Sequence, residues 1–192
     1  MALQIAQDPH ADQVLTDSPF ALLCGMLLDQ QFPMERAFAG PAKILDRFGS
    51  VDPADIATAD PEQFAALCAE PPAVHRYPGS MAARIQALAA QVVAEYDGHT
   101  ERLWEQAADG RELLRRLQAL PGFGKQKAQI FAALLAKQLG VRPDGWQQAA
   151  GAYAEEGSFR SVADVVDETS LEKVRSFKTQ AKQAARATSA GS

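Results

Sequence analysis

Apolar residues along this chain recur at spacings of three and four, and no run of Val, Ile or Thr alternates with polar residues. The first pattern is that of an amphipathic helix. The second, the mark of a strand, is missing, so the chain reads as all-α. Asp17-Ser18-Pro19 caps and opens a helix that carries Phe20, Leu23, Leu27 and Leu28 and stops near Phe32-Pro33. Another spans Met34 to Phe48 and ends at Gly49, and Asp52-Pro53 and Asp60-Pro61 each open a short one. The prolines and glycine between Glu70 and Gly79 exclude regular structure there. Met81 to Tyr96, Gly110 to Leu120 and Lys125 to Leu139 follow as helices, then Asp144 to Glu156 and Ser161 to about Ala187. No internal repeat or low-complexity linker interrupts them.

With 192 residues, 47% hydrophobic and 22% charged, the chain has enough apolar mass for a sizeable core, which excludes disordered, collagen-like and disulfide-rich classes. Its longest mainly apolar stretch, Ile130 to Leu139, is too short to span a bilayer. Residues 1–17 lack the basic flank and apolar run of a secretion signal, so a cytoplasmic location is expected, without membrane partners. Cys24 and Cys68 each lie in an apolar helical pattern, as buried inert thiols do. An iron–sulfur cluster takes four thiolates, more than this chain's cysteines supply.

Charge is unevenly spread. Residues 1–110 hold 6 basic against 16 acidic side chains, whereas 111–150 hold 7 against 2 and 171–192 hold 5 against 1. A net charge of −5 argues against coating DNA by bulk charge, but screening confines each charge to about 10 Å, so a local phosphate site is compatible with it.

The centre of the basic segment is Leu120-Pro121-Gly122-Phe123-Gly124-Lys125-Gln126-Lys127-Ala128. Two glycines two apart let the backbone turn sharply between helices and approach something bulky. Free amides at the start of the helix from Lys125, beside Lys125 and Lys127, suit a phosphate oxygen. On the glycines alone, a plain tight helix–helix turn is the better account of the string.

This string closely resembles the helix-hairpin-helix of the HhH-GPD DNA glycosylase superfamily typified by endonuclease III. The resemblance covers roughly residues 18–150 and implies a two-lobed all-α fold, here without an iron–sulfur cluster. One six-helix lobe spans 20–135, with the helix-hairpin-helix at about 111–139; residues 1–19 and 136–192 form the other. It implies that Gly122, Phe123, Gly124, Lys125, Gln126 and Lys127 grip a DNA backbone, and that the carbonyls of Gln118, Leu120 and Phe123 can hold a monovalent cation. No other cofactor is implied. Asp144 lies 18 residues beyond Gln126 in a Gly/Pro-rich return loop, where the family keeps a catalytic carboxylate; on its own, it reads as a helix N-cap. Members that also cut the strand carry a lysine where this chain has Gln126, and an amide cannot form a Schiff base. The implied activity is therefore that of a monofunctional glycosylase in base excision repair, acting as a monomer on double-stranded DNA with a damaged base. Gln31 matches the residue that fills the gap left by a flipped base, Arg76 and Tyr77 match the wedge, and Asp29 is a second candidate pocket carboxylate. Cys24 stands where adenine-excising members keep a glutamate, so adenine opposite oxidised guanine is not the expected target. The rivals are a non-catalytic protein that binds bent, branched or damaged DNA, and a protein-interaction domain in which the hairpin is only a turn.

Overall fold

The computed structural model describes residues 2–190, and every regular element among them is helical. In chain order these are α1 (Pro9–Asp17), α2 (Pro19–Leu28), α3 (Met34–Phe38), α4 (Gly40–Phe48), α5 (Pro53–Thr58), α6 (Pro61–Ala69) and α7 (Pro78–Tyr96). Then come α8 (Arg102–Glu105), α9 (Gly110–Gln118), α10 (Lys125–Gln138) and α11 (Trp146–Ala150), and, after 3-10 turns at Gly151–Ala154 and Val162–Asp164, α12 (Glu168–Ala190). Asp8, Ser18, Asp52, Asp60 and Asp109 cap α1, α2, α5, α6 and α9 with side-chain oxygens. In the first four of these helices a proline follows, where its fixed φ suits the first turn and its missing N–H costs nothing.

The helix expected over Met34 to Phe48 is two. Pro41 has no amide to donate and its ring crowds the carbonyl four residues back, so the chain breaks at Ala39. Gly40 also lies against Leu28, whose Cδ1 a Cβ there would meet at 2.5 Å. The helix expected from Asp144 to Glu156 shortens to α11 and a 3-10 turn, because Gly151 takes φ +60°. Two helices, α1 and α8, fall outside the spans read from the sequence.

Helix α2 is buried from Phe20 to Leu28 and forms the centre of the molecule. Helices α5 and α6 lie along α7; α9, α11 and the turn at Val162–Asp164 lie against α10. The resemblance groups residues 1–19 with 136–192; in the structure α1 contacts α2, α3 and α4. The buried side chains form one contiguous core from Leu3 to Val174. Cys24 and Cys68 are inside it, and burial pushes both thiols up, that of Cys68 to about 12. Arg47 of α4 ties the proline-rich loop down by donating to the carbonyls of Leu67 (2.9 Å), Glu70 (2.9 Å) and Pro72 (2.8 Å). No helix among the described residues is long and apolar enough to cross a membrane.

Candidate active site

Helices α9 and α10 are joined by a hairpin in which Gly122 takes φ +79°, a region that side chains with a Cβ avoid, while the amide of Phe123 donates to Leu120 at 3.1 Å and closes the turn. That bond removes the Phe123 amide from the expected DNA-gripping set, and its ring is buried edge-on against Phe131 at 6.2 Å. Gly124 stands at the N-cap of α10 with extended backbone and no side-chain cap. Among the described residues the amides of Gly122, Gly124, Lys125, Gln126 and Lys127 have no acceptor, and Gly124 faces open space. The helix thus presents its uncapped, positive end at an exposed corner, as an anion site requires.

The two glycines differ in a testable way. A Cβ at Gly122 would meet Leu27 Cδ1 at 2.6 Å as well as strain φ, so Gly122→Ala is expected to lose about 1–2 kcal/mol of stability. Gly124→Ala meets nothing within 4 Å and is expected to change stability by less than about 0.5 kcal/mol yet weaken duplex binding. Denaturant titration beside a binding isotherm reads both; equal stability losses would contradict the assigned geometry.

The hairpin borders a cleft of about 860 Å³ whose lining includes Asp29, Gln31, Arg76, Gln126, Lys127 and Lys178. Helix α2 ends at Leu28, which leaves Asp29 at its C-cap with only 11% of its side chain exposed. Burial raises the Asp29 carboxyl above its ordinary range; the ammonium groups of Lys178, 3.8 Å away, and Lys127 pull the other way, and Glu35 adds to the rise. Lys127, two residues into α10, donates to the Leu27 carbonyl at 3.0 Å and thereby ties α10 to α2. Its amine is lowered to about 8, chiefly by burial and further by Arg84 and Lys178, against the pull of Asp29. Such a cleft holds a carboxylate able to stabilise positive charge and an amine partly unprotonated near neutral pH.

Gln31 and the loop before α7 form one side of the cleft. Gln31 is exposed at φ +51°, a conformation in which a non-glycine residue is strained. Tyr77 is 48% exposed, with the Arg76 guanidinium 5.1 Å above its ring. His75 is the buried strut behind both. Its Nδ1 accepts the Tyr77 amide at 3.0 Å, so its proton sits on Nε2, which donates to the Gln30 carbonyl at 2.8 Å. Its ring packs between Phe32 and Tyr77, at centroid distances of 4.9 and 5.9 Å.

Asp144 is placed elsewhere. It is exposed, does not line the cleft, and borders a hollow of about 360 Å³ with Asp109 and Arg111. Nor does it cap α11, whose N-cap is Gly145 at φ +77°. The cause lies in the return from α10. Val141 donates to Leu135 at 3.0 Å and Gly110 to the Asp144 carbonyl at 2.8 Å, which holds the loop at the start of α9. The far end of α10, at Gln138, is about 18 Å along the helix axis from Gln126, at 1.5 Å per residue. The chain then comes back through α11, and Tyr153 reaches Gln126, whose amide donates to its hydroxyl at 2.8 Å. Spacing from Gln126 correctly finds a return loop but not its path.

The carbonyls of Gln118 and Phe123 accept no hydrogen bond among the described residues, and that of Leu120 accepts only the turn amide. Neutral oxygens left over in this way fit a monovalent cation. No group of three or more His, Cys, Asp or Glu side chains that could hold a metal occurs among the described residues.

The site is thus an uncapped helix-hairpin-helix beside a cleft that holds a largely buried carboxylate, in an all-helical protein. A family model described as HhH-GPD superfamily base excision DNA repair protein matches residues 24–190, most of the chain, so the chain belongs to that superfamily. Comparison with curated proteins and with solved structures gives no match.

Proposed function

We propose that the protein is a monofunctional DNA glycosylase that hydrolyses the N-glycosidic bond of a damaged base flipped into the cleft. The observation that carries this is Asp29: a carboxylate 11% exposed, at the floor of a cleft that also receives the hairpin lysine, Gln31 and Arg76. The uncapped amides of α10 hold the phosphodiester backbone, and a monovalent cation on Gln118, Leu120 and Phe123 would stiffen that turn. Tyr77 and Arg76 wedge the duplex and Gln31 takes the vacated place. As the base departs with the bonding electrons, positive charge gathers on the sugar and the Asp29 carboxylate stabilises it. Water then attacks C1′, and its proton passes to Asp29 or to solvent. The product is an abasic site. Asp144 remains the second carboxylate to be tested because of its spacing from Gln126.

A second reading has an observation of its own. Lys127 puts an amine, lowered to about 8, into the same cleft, and a neutral amine can attack the aldehyde of an abasic site. Purified protein incubated with duplexes containing uracil, hypoxanthine, 3-methyladenine, 7-methylguanine or 8-oxoguanine, then split into portions with and without alkali, separates the possibilities. Alkali-dependent cleavage of one duplex is expected. Cleavage without alkali, lost in Lys127→Met, would make the enzyme a lyase as well. Tight binding to bent or branched DNA with no product from any duplex would leave a binding protein and overturn the enzymatic reading.

A further inference from the structure

Helix α12 is held to the body by Ser170, Leu171 and Val174, and from Arg175 to Ser189 no residue is buried. Residues on this outer part are not arranged at random. Arg175, Lys178, Lys182 and Arg186 stand three or four apart, which at 100° per residue puts their Cα atoms within about 80° of one another on one face. The face is oriented by two contacts: Arg175 pairs with Glu35, and Lys178 lies 3.8 Å from Asp29 on the cleft floor. Lys182 borders the same cleft. The stripe therefore begins at the buried carboxylate and leads outward, Lys182 about 6 Å and Arg186 about 12 Å past Lys178 along the helix axis.

The inner and outer halves of the stripe differ. Arg175 and Lys178 face carboxylates, whereas Lys182 and Arg186 are exposed and pair with none among the described residues. Elsewhere some cations pair with carboxylates, as in Arg102–Asp97, Arg116–Glu112, Lys137–Asp164 and Arg160–Glu155, and others, such as Arg36, Arg84 and Arg111, form no ion pair among the described residues; Lys182 and Arg186 differ in continuing one stripe outward from the cleft. Unmatched cations in a row, in a chain of net charge −5, call for a linear polyanion. Lys173, on the opposite face of α12, is instead stacked over Phe159 at 4.5 Å.

We propose that the outer half of α12 is a second DNA-backbone site, in which Lys182 and Arg186 bind consecutive phosphates of the strand leaving the cleft, on the side away from the hairpin. This rests on the reading that the cleft takes a nucleotide from duplex DNA: a flipped nucleotide at Asp29 carries its flanking phosphates to the rim, where the stripe starts. Lys178 then joins the two functions, one ammonium serving the Asp29 carboxylate and the first phosphate. The duplex is gripped at two points, and the hairpin alone does not fix its orientation.

The test is the salt dependence of duplex binding by the full chain and by Lys182→Gln/Arg186→Gln, with Lys173→Gln as the control on the other face. Each lost phosphate contact lowers the slope of log affinity against log salt by about 0.9, so the double variant is expected to lose about two units of slope and Lys173→Gln none. Neither substitution removes a buried group, and thermal unfolding midpoints are expected to stay together. Wild-type slope in the double variant, with the parent binding DNA normally, would overturn the stripe and leave the glycosylase reading standing. An equal slope loss in Lys173→Gln would also overturn it, since bulk charge would then suffice. Absence of salt-dependent binding by the parent protein would overturn both.

Discussion

Replacing Asp29 by Asn is expected to lower the single-turnover rate of base excision by about 10²- to 10⁴-fold while duplex binding holds or tightens. Asn keeps the volume and an acceptor for Lys178, so the floor of the cleft stays packed. What it removes is the negative charge that faces the sugar as the base leaves. Taking a carboxylate away from beside Lys127 and Lys178 also leaves the cleft more attractive to phosphate. The sign of the pH dependence follows from the same environment. Burial raises the Asp29 carboxyl, so excision by the ionised form is expected to fall on acidification at a pH above the ordinary carboxylate range, and that limb is expected to vanish in the Asn variant. Asp144→Asn, at an exposed position outside the cleft, is expected to excise at close to the parent rate. Reversal of the two results would return catalysis to Asp144 and would require the loop from Leu139 to Gly145 to move on binding.

The largest expected loss of stability is at Asp164. Its Oδ1 lies 2.6 Å from Lys137 Nζ, with the two side chains only 5% and 11% exposed, and its Oδ2 accepts the amides of Arg160 at 2.9 Å and Ser161 at 3.2 Å. The pair fixes the turn at Val162–Asp164 to α10, the helix that carries the hairpin. Asp164→Ala strands the Lys137 ammonium, leaving it only the Glu155 carbonyl at 2.7 Å, and is expected to cost about 3–5 kcal/mol in denaturant unfolding. Removing both charges as Lys137→Met/Asp164→Leu is expected to recover part of that, because the largest cost is the uncompensated charge rather than the lost attraction. A loss below about 1 kcal/mol in the single variant would mean that water reaches Lys137.

Much of the fold was legible because helix ends are written in short strings. Ser18-Pro19, Asp52-Pro53 and Asp60-Pro61 open helices where the capping chemistry puts them, and Asp8-Pro9, the same signal, would have given α1. Gly40-Pro41 likewise carried the break between α3 and α4. The hairpin was legible for the same reason: Gly122 acts through its left-handed backbone and Gly124 by leaving the end of α10 bare, both properties of single residues. The cleft was less so. Asp29 is made special by Lys178, 149 positions away, and by a helix end that spacing alone cannot bury. His75 becomes a strut only when Gln30 arrives across the loop. That Asp144 stands outside the Asp29 cleft was not legible either, because two backbone hydrogen bonds, not residue types, set the return path from α10.

A crystal structure of the protein on a duplex carrying a stable abasic analogue addresses the account at its centre. The extruded sugar is expected in the cleft between Gln31 and Lys127, its C1′ facing the Asp29 carboxylate, with the amides of Gly122, Gly124, Lys125, Gln126 and Lys127 on the neighbouring phosphates. A sugar bound at Asp144 and Arg111, with the Asp29 cleft vacant, would contradict it.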